Sequence, residues 1–253
     1  ICSGIILKKT KLFAGDPAPF VMELPAYHMP TVINVLRSMW ERGWSFIKKA
    51  GTVILLSTIF IWFTSSFGFV DGSFGMVEDL SDGLLAVIGR GIAWIFAPLG
   101  WGSWQAAVAA ITGLVAKENV VGTFGILFGF AEVAEDGQEI WGTMAQTFTA
   151  VSAYSFLVFN LLDSPCLAAI ATMAQQFQSR KWFWFAILYQ NIFAYVVALC
   201  IYQLGGLAAG VVAFNVWTVI ALICLAFMLF MLFRPDPYRA QKSYARSSVE
   251  AAS

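Results

Sequence analysis

Long apolar runs alternate along this chain with short polar clusters, and the runs are of membrane-crossing length. A crossing helix needs about 20 mostly apolar residues. Residues 50–69 meet that need, after a basic, Trp-bearing stretch at 37–49. Residues 84–98 are shorter and carry Arg90, so they read as a thin span or a re-entrant segment. Residues 104–130 are long but interrupted by Lys117-Glu118. Residues 144–162 continue through Asp163-Ser164-Pro165 into 166–177. Residues 182–202 and 211–233 are uninterrupted. The pattern predicts an all-α polytopic membrane protein of about six crossings, two of them discontinuous. Its organisation reads as three parts: 1–49, the end of a preceding span with an amphipathic stretch at 32–49; 50–233, the transmembrane domain; and 234–253, a polar tail.

Composition sharpens this picture. Of 253 residues, 59% are apolar and only 12% charged, about half the share usual in soluble proteins. A zero net charge leaves no basic excess for nucleic-acid phosphates. Four cysteines, widely spaced and mostly inside apolar runs, indicate neither a disulfide framework nor a metal knuckle. Charge position then sets orientation. The loops at 71–83 and 131–142 hold acids and no Lys or Arg, whereas basic residues gather at 8–11, 37–49, 180–181 and 234–246. By the positive-inside rule the basic groups face the cytoplasm, as do both ends of the chain. The start at Ile1, on the apolar stub ICSGIIL, reads as a fragment.

Three places carry candidate chemistry. Lys117 and Glu118 sit near the middle of a 27-residue apolar segment, where each charge costs at least about 2.5–3.5 kcal/mol. Neighbours in sequence project in different directions, so each needs its own partner or a wet cavity. Gly113 and Gly122 flank them and suit a broken helix or a close helix contact. The plainer alternative is a buried structural ion pair. In Asn160-Leu-Leu-Asp163-Ser164-Pro165-Cys166, proline stops the helix near Asp163. Ser164 as N-cap and Pro165 as first helical residue would start a new helix, with Cys166 in its first turn. A helix N-terminus favours a thiolate, the metal-binding form, and the preceding carbonyls with Asp163 attract a cation. The plainer alternative is a proline kink beside an inert cysteine, and Cys200 and Cys224 read as core residues. Finally, Glu23-Leu-Pro25-Ala-Tyr27-His28-Met-Pro30 offers O, N and S ligands in a backbone held open by prolines. Its prolines could equally just shape the approach to the amphipathic stretch.

Together PFVMELPAYHMP, GLVAKENVVGTFGILFG and SPCLAAIATM resemble the membrane half of the ferrous iron transport protein B family, over nearly the whole chain up to the tail. That resemblance implies Fe²⁺ uptake across a bacterial inner membrane through a Gate-type, nucleoside-transporter-like domain. It carries onto Glu23, Pro25, Tyr27 and Pro30, onto Gly113, Lys117 and Glu118, and onto Pro165 and Cys166. An iron path of Cys and acidic residues would map to Cys166, Glu118 and Glu23. Asp163 and His28 join them as metal candidates on the reading of the residues alone. Lys117 reads as a counter-charge holding the broken helix. No GxxxxGK[ST] phosphate loop is present, so GTP and Mg²⁺ are expected only through a separate N-terminal GTPase domain, and this segment is expected to be no enzyme and to hold no cofactor. The expected partners are the lipid bilayer, Fe²⁺, that GTPase domain and a first Gate half; accessory Feo proteins and a homo-oligomer are compatible with the reading. Two rivals are a carrier of a small organic solute such as a nucleoside, and a non-transporting membrane assembly module.

Overall fold

The computed structural model describes residues 2–10, 13, 31–70, 73–77, 83–115, 117, 119–128 and 140–235. Glu23, Pro25, Tyr27, His28, Pro30 and Glu118 lie outside the described residues. The chain divides into two compact units, one of residues 36–221 and one of residues 1–35 with 222–253. In the second unit, Lys9 Nζ, just past the end of α1 (Cys2–Lys8), donates to the Leu232 carbonyl at 2.5 Å.

Helix α2 (Val32–Ser66) is a single 35-residue helix that runs without a break through position 49–50. No proline occurs between Pro30 and Pro98 to stop it. It gives way to a feature that the all-helical expectation omitted, a two-stranded antiparallel hairpin. Strand β1 (Phe67–Val70) pairs with β2 (Ser73–Met76), with Phe67 opposite Met76 and Val70 opposite Ser73. The local sequence explains the switch. Phe-Gly-Phe-Val and Ser-Phe-Gly-Met place glycine, a poor helix former, between residues that favour strands, and Asp71-Gly72 is a pair favoured in tight hairpins.

Next come α3 (Leu84–Phe96), a 3-10 turn (Ala97–Leu99) and α4 (Trp104–Val115), bent by 95° into one broken pair. Pro98 and Gly100 make the corner. Gly100 has φ +87°, and a Cβ there would lie 2.0 Å from the Tyr202 ring. The two arms approach closely, since a Cβ on Gly89 would meet Val108 at 2.5 Å. The sequence reading kept 84–98 and 104–130 as separate elements; the structure couples the first to the front half of the second. After α5 (Asn119–Leu127), a second bent pair follows, α6 (Trp141–Thr147) and α7 (Ala150–Leu162), at 103°. This break is a correction to the continuous 144–162 segment. Thr149 causes it by capping α7, accepting a bond from the Ser152 N–H at 3.2 Å. Helices α8 (Leu167–Gln176), α9 (Arg180–Ala208) and α10 (Val216–Phe233) complete the order.

The core lies where α4, α5, α7 and α9 converge. Ala106, Ala107, Val108, Ala109 and Ala110 are all buried, so α4 is enclosed over that stretch, with Ile111 exposed just beyond it. Alanines allow that approach where lipid offers no hydrophobic drive between helices. Aromatic rings fill the remaining volume: Trp101 stacks on Phe96 at 4.4 Å and meets Phe156 edge-on at 5.1 Å. Phe124 meets Phe148 at 5.8 Å and Phe156 at 5.5 Å. Outward faces are apolar too, as on α9, where Trp184, Leu188 and Ile192 are 65%, 61% and 54% exposed and four residues apart. An apolar stripe of that kind on the outside of a helix is what lipid contact requires. Among the described residues α9 and α10 are long and apolar enough to cross a membrane, or up to four spans if each bent pair counts as one. The protein is a mostly helical membrane protein.

Candidate cation site at two facing helix breaks

Two interruptions face each other within the larger unit. The first separates α4 from α5, with Lys117 in a turn between them. The second separates α7 from α8. Helix α7 ends at Leu162, and Asp163 is its C-cap with extended backbone. That stop is where proline chemistry puts it. The Pro165 nitrogen carries no hydrogen, so it cannot satisfy the Leu161 carbonyl one turn earlier. The extended Asp163 likewise carries the chain away from the Asn160 carbonyl.

Lys117 takes up the group left over. Its ammonium donates to the Asn160 main-chain carbonyl at 2.6 Å and to Asp163 Oδ1 at 2.6 Å. A cation at a helix C-terminus also meets the negative end of the helix dipole. The pair is asymmetric: the lysine side chain is 35% exposed, the aspartate side chain 0%. Asp163 Oδ2 and Asn160 Oδ1 are buried and have no hydrogen-bond partner among the described residues. Asn160 Nδ2, in contrast, donates to the Phe156 carbonyl at 2.9 Å, within its own helix.

Gly113 makes this approach possible. A Cβ there would lie 2.8 Å from Val120 of α5 and 2.9 Å from Asn160 Oδ1 of α7. Gly122 has a different role from the close contact expected of it. It is exposed, and a Cβ would meet nothing within 4 Å. Across the first break, the hydroxyls of Thr112 and Thr123 are 3.1 Å apart.

At the second break the helix starts later than the sequence suggested. The N-cap of α8 is Cys166, not Ser164, and Leu167 is the first helical residue. Ser164 is withdrawn from capping by a tertiary contact, for its buried hydroxyl accepts a hydrogen bond from Asn191 Nδ2 on α9 at 2.9 Å. Pro165 lies between the two, outside the helix. Cys166 is half-buried and makes no side-chain capping bond. Cys200 and Cys224 are also half-buried, and Cys200 Sγ donates to the Ala221 carbonyl at 3.4 Å. No group of three or more His, Cys, Asp or Glu that could hold a metal occurs among the described residues.

The structure thus brings together Lys117, Asp163 and Gly113, with Ser164, Pro165 and Cys166 continuing along the same break. Sequence reasoning missed Asn160 and Asn191. The available signal was an asparagine inside an apolar run, one of them three residues before the aspartate.

Comparisons with known proteins identify the family. A family model described as "Ferrous iron transport protein B C terminus" matches residues 1–42, and one named Gate, described as "Nucleoside recognition", matches residues 47–180, just over half of the chain. The chain is 38% identical over 200 residues to the Fe(2+) transporter FeoB of Methanocaldococcus jannaschii, covering 78% of this chain and 29% of the relative. It is 32% identical over 202 residues to the Fe(2+) transporter FeoB of Staphylococcus aureus, covering 80% and 29%. For the Fe(2+) transporter FeoB of Salmonella typhimurium the figures are 30% over 274 residues, covering 89% and 34%. The chain therefore spans about a third of the length of these relatives. No solved structure matches it. By its two family models and these relatives, the chain belongs to the ferrous iron transport protein B family, as its C-terminal Gate portion.

Proposed function

We propose that this chain is the permease part of a GTPase-linked ferrous iron uptake transporter of the bacterial inner membrane. The observation that carries this reading is a buried carboxylate, Asp163, at the C-terminal end of one half-helix, three residues before a cysteine that caps the next. Half-helix ends directed into a membrane interior are how many transporters build ion sites, because free carbonyls and the helix dipole replace part of an ion's hydration. Cys166, Asp163 and Glu118 are the proposed Fe²⁺ contacts, and Glu23 and His28 are further candidate ligands. An iron of borderline softness accepts both thiolate and carboxylate. Six crossings, with both ends cytoplasmic, fit the charge pattern of the loops. The nucleotide chemistry is assigned to a domain outside this segment, whose sequence carries no GxxxxGK[ST] loop.

The test is uptake of radioactive iron under reducing conditions by cells that lack other iron importers and express the intact protein. Cys166→Ser should lower uptake at least about tenfold at unchanged membrane abundance, while Cys200→Ser and Cys224→Ser transport normally. Equal behaviour of all three serine variants would refute the assignment of Cys166.

One observation favours a second reading. The Gate model carries the description "Nucleoside recognition", and Asn160 and Ser164 at the second break, with Asn191 of α9 against it, are side chains able to hydrogen-bond a base or ribose. Radiolabelled uridine uptake that competes with iron would favour it over an ion path.

A further inference from the structure

We propose that the Lys117 ammonium is a tethered stand-in for the transported cation, filling an oxygen-lined seat that a divalent metal occupies when the lysine withdraws. The inference deepens the iron-transport reading and rests on it for the identity of the metal. The seat consists of the Asp163 carboxylate and the Asn160 main-chain carbonyl, both 2.6 Å from Nζ; the Asn160 side-chain oxygen lies beside Gly113.

Three features separate this seat from an ordinary structural ion pair. First, it has more acceptor capacity than the lysine uses. Asp163 Oδ2 and Asn160 Oδ1 are buried with no hydrogen-bond partner among the described residues, although each such oxygen normally finds a donor when removed from water. Oxygens of carboxylate, amide and peptide type are the ligand set of hard and borderline divalent cations. Second, the exposure is one-sided. The carboxylate is 0% exposed, whereas the lysine side chain that covers its Oδ1 is 35% exposed. Third, the lysine sits in the turn between α4 and α5, not within a helix. Its main-chain carbonyl accepts from the Val120 N–H at 3.4 Å, a bond that rotation of the side chain leaves in place. Thr112 and Thr123 still join the two helices across the gap. Gly113, four residues before the lysine, has no side chain to crowd the Asn160 oxygen, which lies 2.9 Å from where its Cβ would stand.

When Lys117 leaves, one negative carboxylate at the negative end of α7 is uncovered, and a divalent cation neutralises it with one positive charge in excess. The same arrangement would make the path self-closing: with no metal present, the protein's own cation occupies the site.

Mn²⁺ serves as an air-stable probe, with the intact protein purified from membranes in detergent. Thermal unfolding is followed for wild type, Lys117→Met, Lys117→Gln and the double variant Lys117→Met/Asp163→Asn. The two single variants should gain a saturable Mn²⁺-dependent rise in Tm of about 5 °C, as expected for a ligand well above its Kd. Wild type and the double variant should show little response. If neither single variant responds to Mn²⁺, or if neither folds in its presence while the double variant does, Lys117 and Asp163 form a structural pair and the proposal is wrong. Lys117→Gln keeps a donor for the Asn160 carbonyl and so carries the test should Lys117→Met fail to fold. Iron uptake by wild-type cells is a separate readout. Its absence would overturn the transport reading, whereas the Mn²⁺ response of the single variants would still decide whether the seat binds a divalent cation.

Discussion

The two helix breaks reach the same end by different means. The break between α7 and α8 is written into its own residues, because Pro165 forbids the hydrogen bond that would continue the helix. The break between α4 and α5 contains no proline, and its residues could continue a helix. It opens at Lys117 because that side chain must reach an anion, and the anion lies on the other break, 46 residues along the chain. One break is local in origin and the other is induced by it. The comparison teaches that a charge in an apolar run predicts a partner before it predicts a backbone shape, and only the partner's position decides the shape.

If that is right, removing one member of the pair should damage the molecule unequally. Lys117→Ala strands a carboxylate with no exposure and should cost about 3–5 kcal/mol, the range for breaking a buried pair. Asp163→Ala should cost less, because the lysine side chain, 35% exposed, is not sealed inside the fold as the carboxylate is. Thermal unfolding in detergent will rank them; equal losses would show that burial does not govern the pair. In cells, Lys117→Ala should abolish iron uptake.

A smaller effect tests the space between the breaks. Gly113→Ala sets a methyl group 2.8 Å from Val120 and 2.9 Å from Asn160 Oδ1, so about 1–3 kcal/mol should be lost to overpacking. Gly122→Ala is its opposite. With open space around it inside α5, the substitution should stabilise by up to about 1 kcal/mol through helix propensity. Should both glycine variants shift Tm the same way, the close approach at Gly113 is not what holds α4, α5 and α7 together.

The local break has its own, still smaller, tests. Ser164→Ala deprives Asn191 of an acceptor and should cost about 1 kcal/mol. At the N-cap of α8, Cys166→Ser replaces a residue that makes no capping bond with one that caps well, so stability should hold or rise by a few tenths of a kcal/mol while transport falls. A parallel fall in both would mean that Cys166 contributes packing rather than metal contact.

What the sequence determined by itself is whatever depends on neighbours in the chain. Apolar content and run length specified a helical membrane protein, since a bilayer accepts only segments that satisfy their own backbone bonds. Pro165 specified the end of α7, and the three motifs specified the family. What only the tertiary structure decided depends on contacts between distant residues. The apolar pattern did not show that α3 bends into α4 at 95° or that α6 bends into α7 at 103°, because both arms of each pair are apolar and only packing sets the angle. Ser164 has the side chain of an N-cap, yet Asn191 on α9 claims its hydroxyl and shifts the cap to Cys166. Above all, the partner of Lys117 could not be read locally. Adjacent residues on a chain point apart, so a buried charge is neutralised from elsewhere in the fold, and here folding brought Asp163 and the Asn160 carbonyl to it.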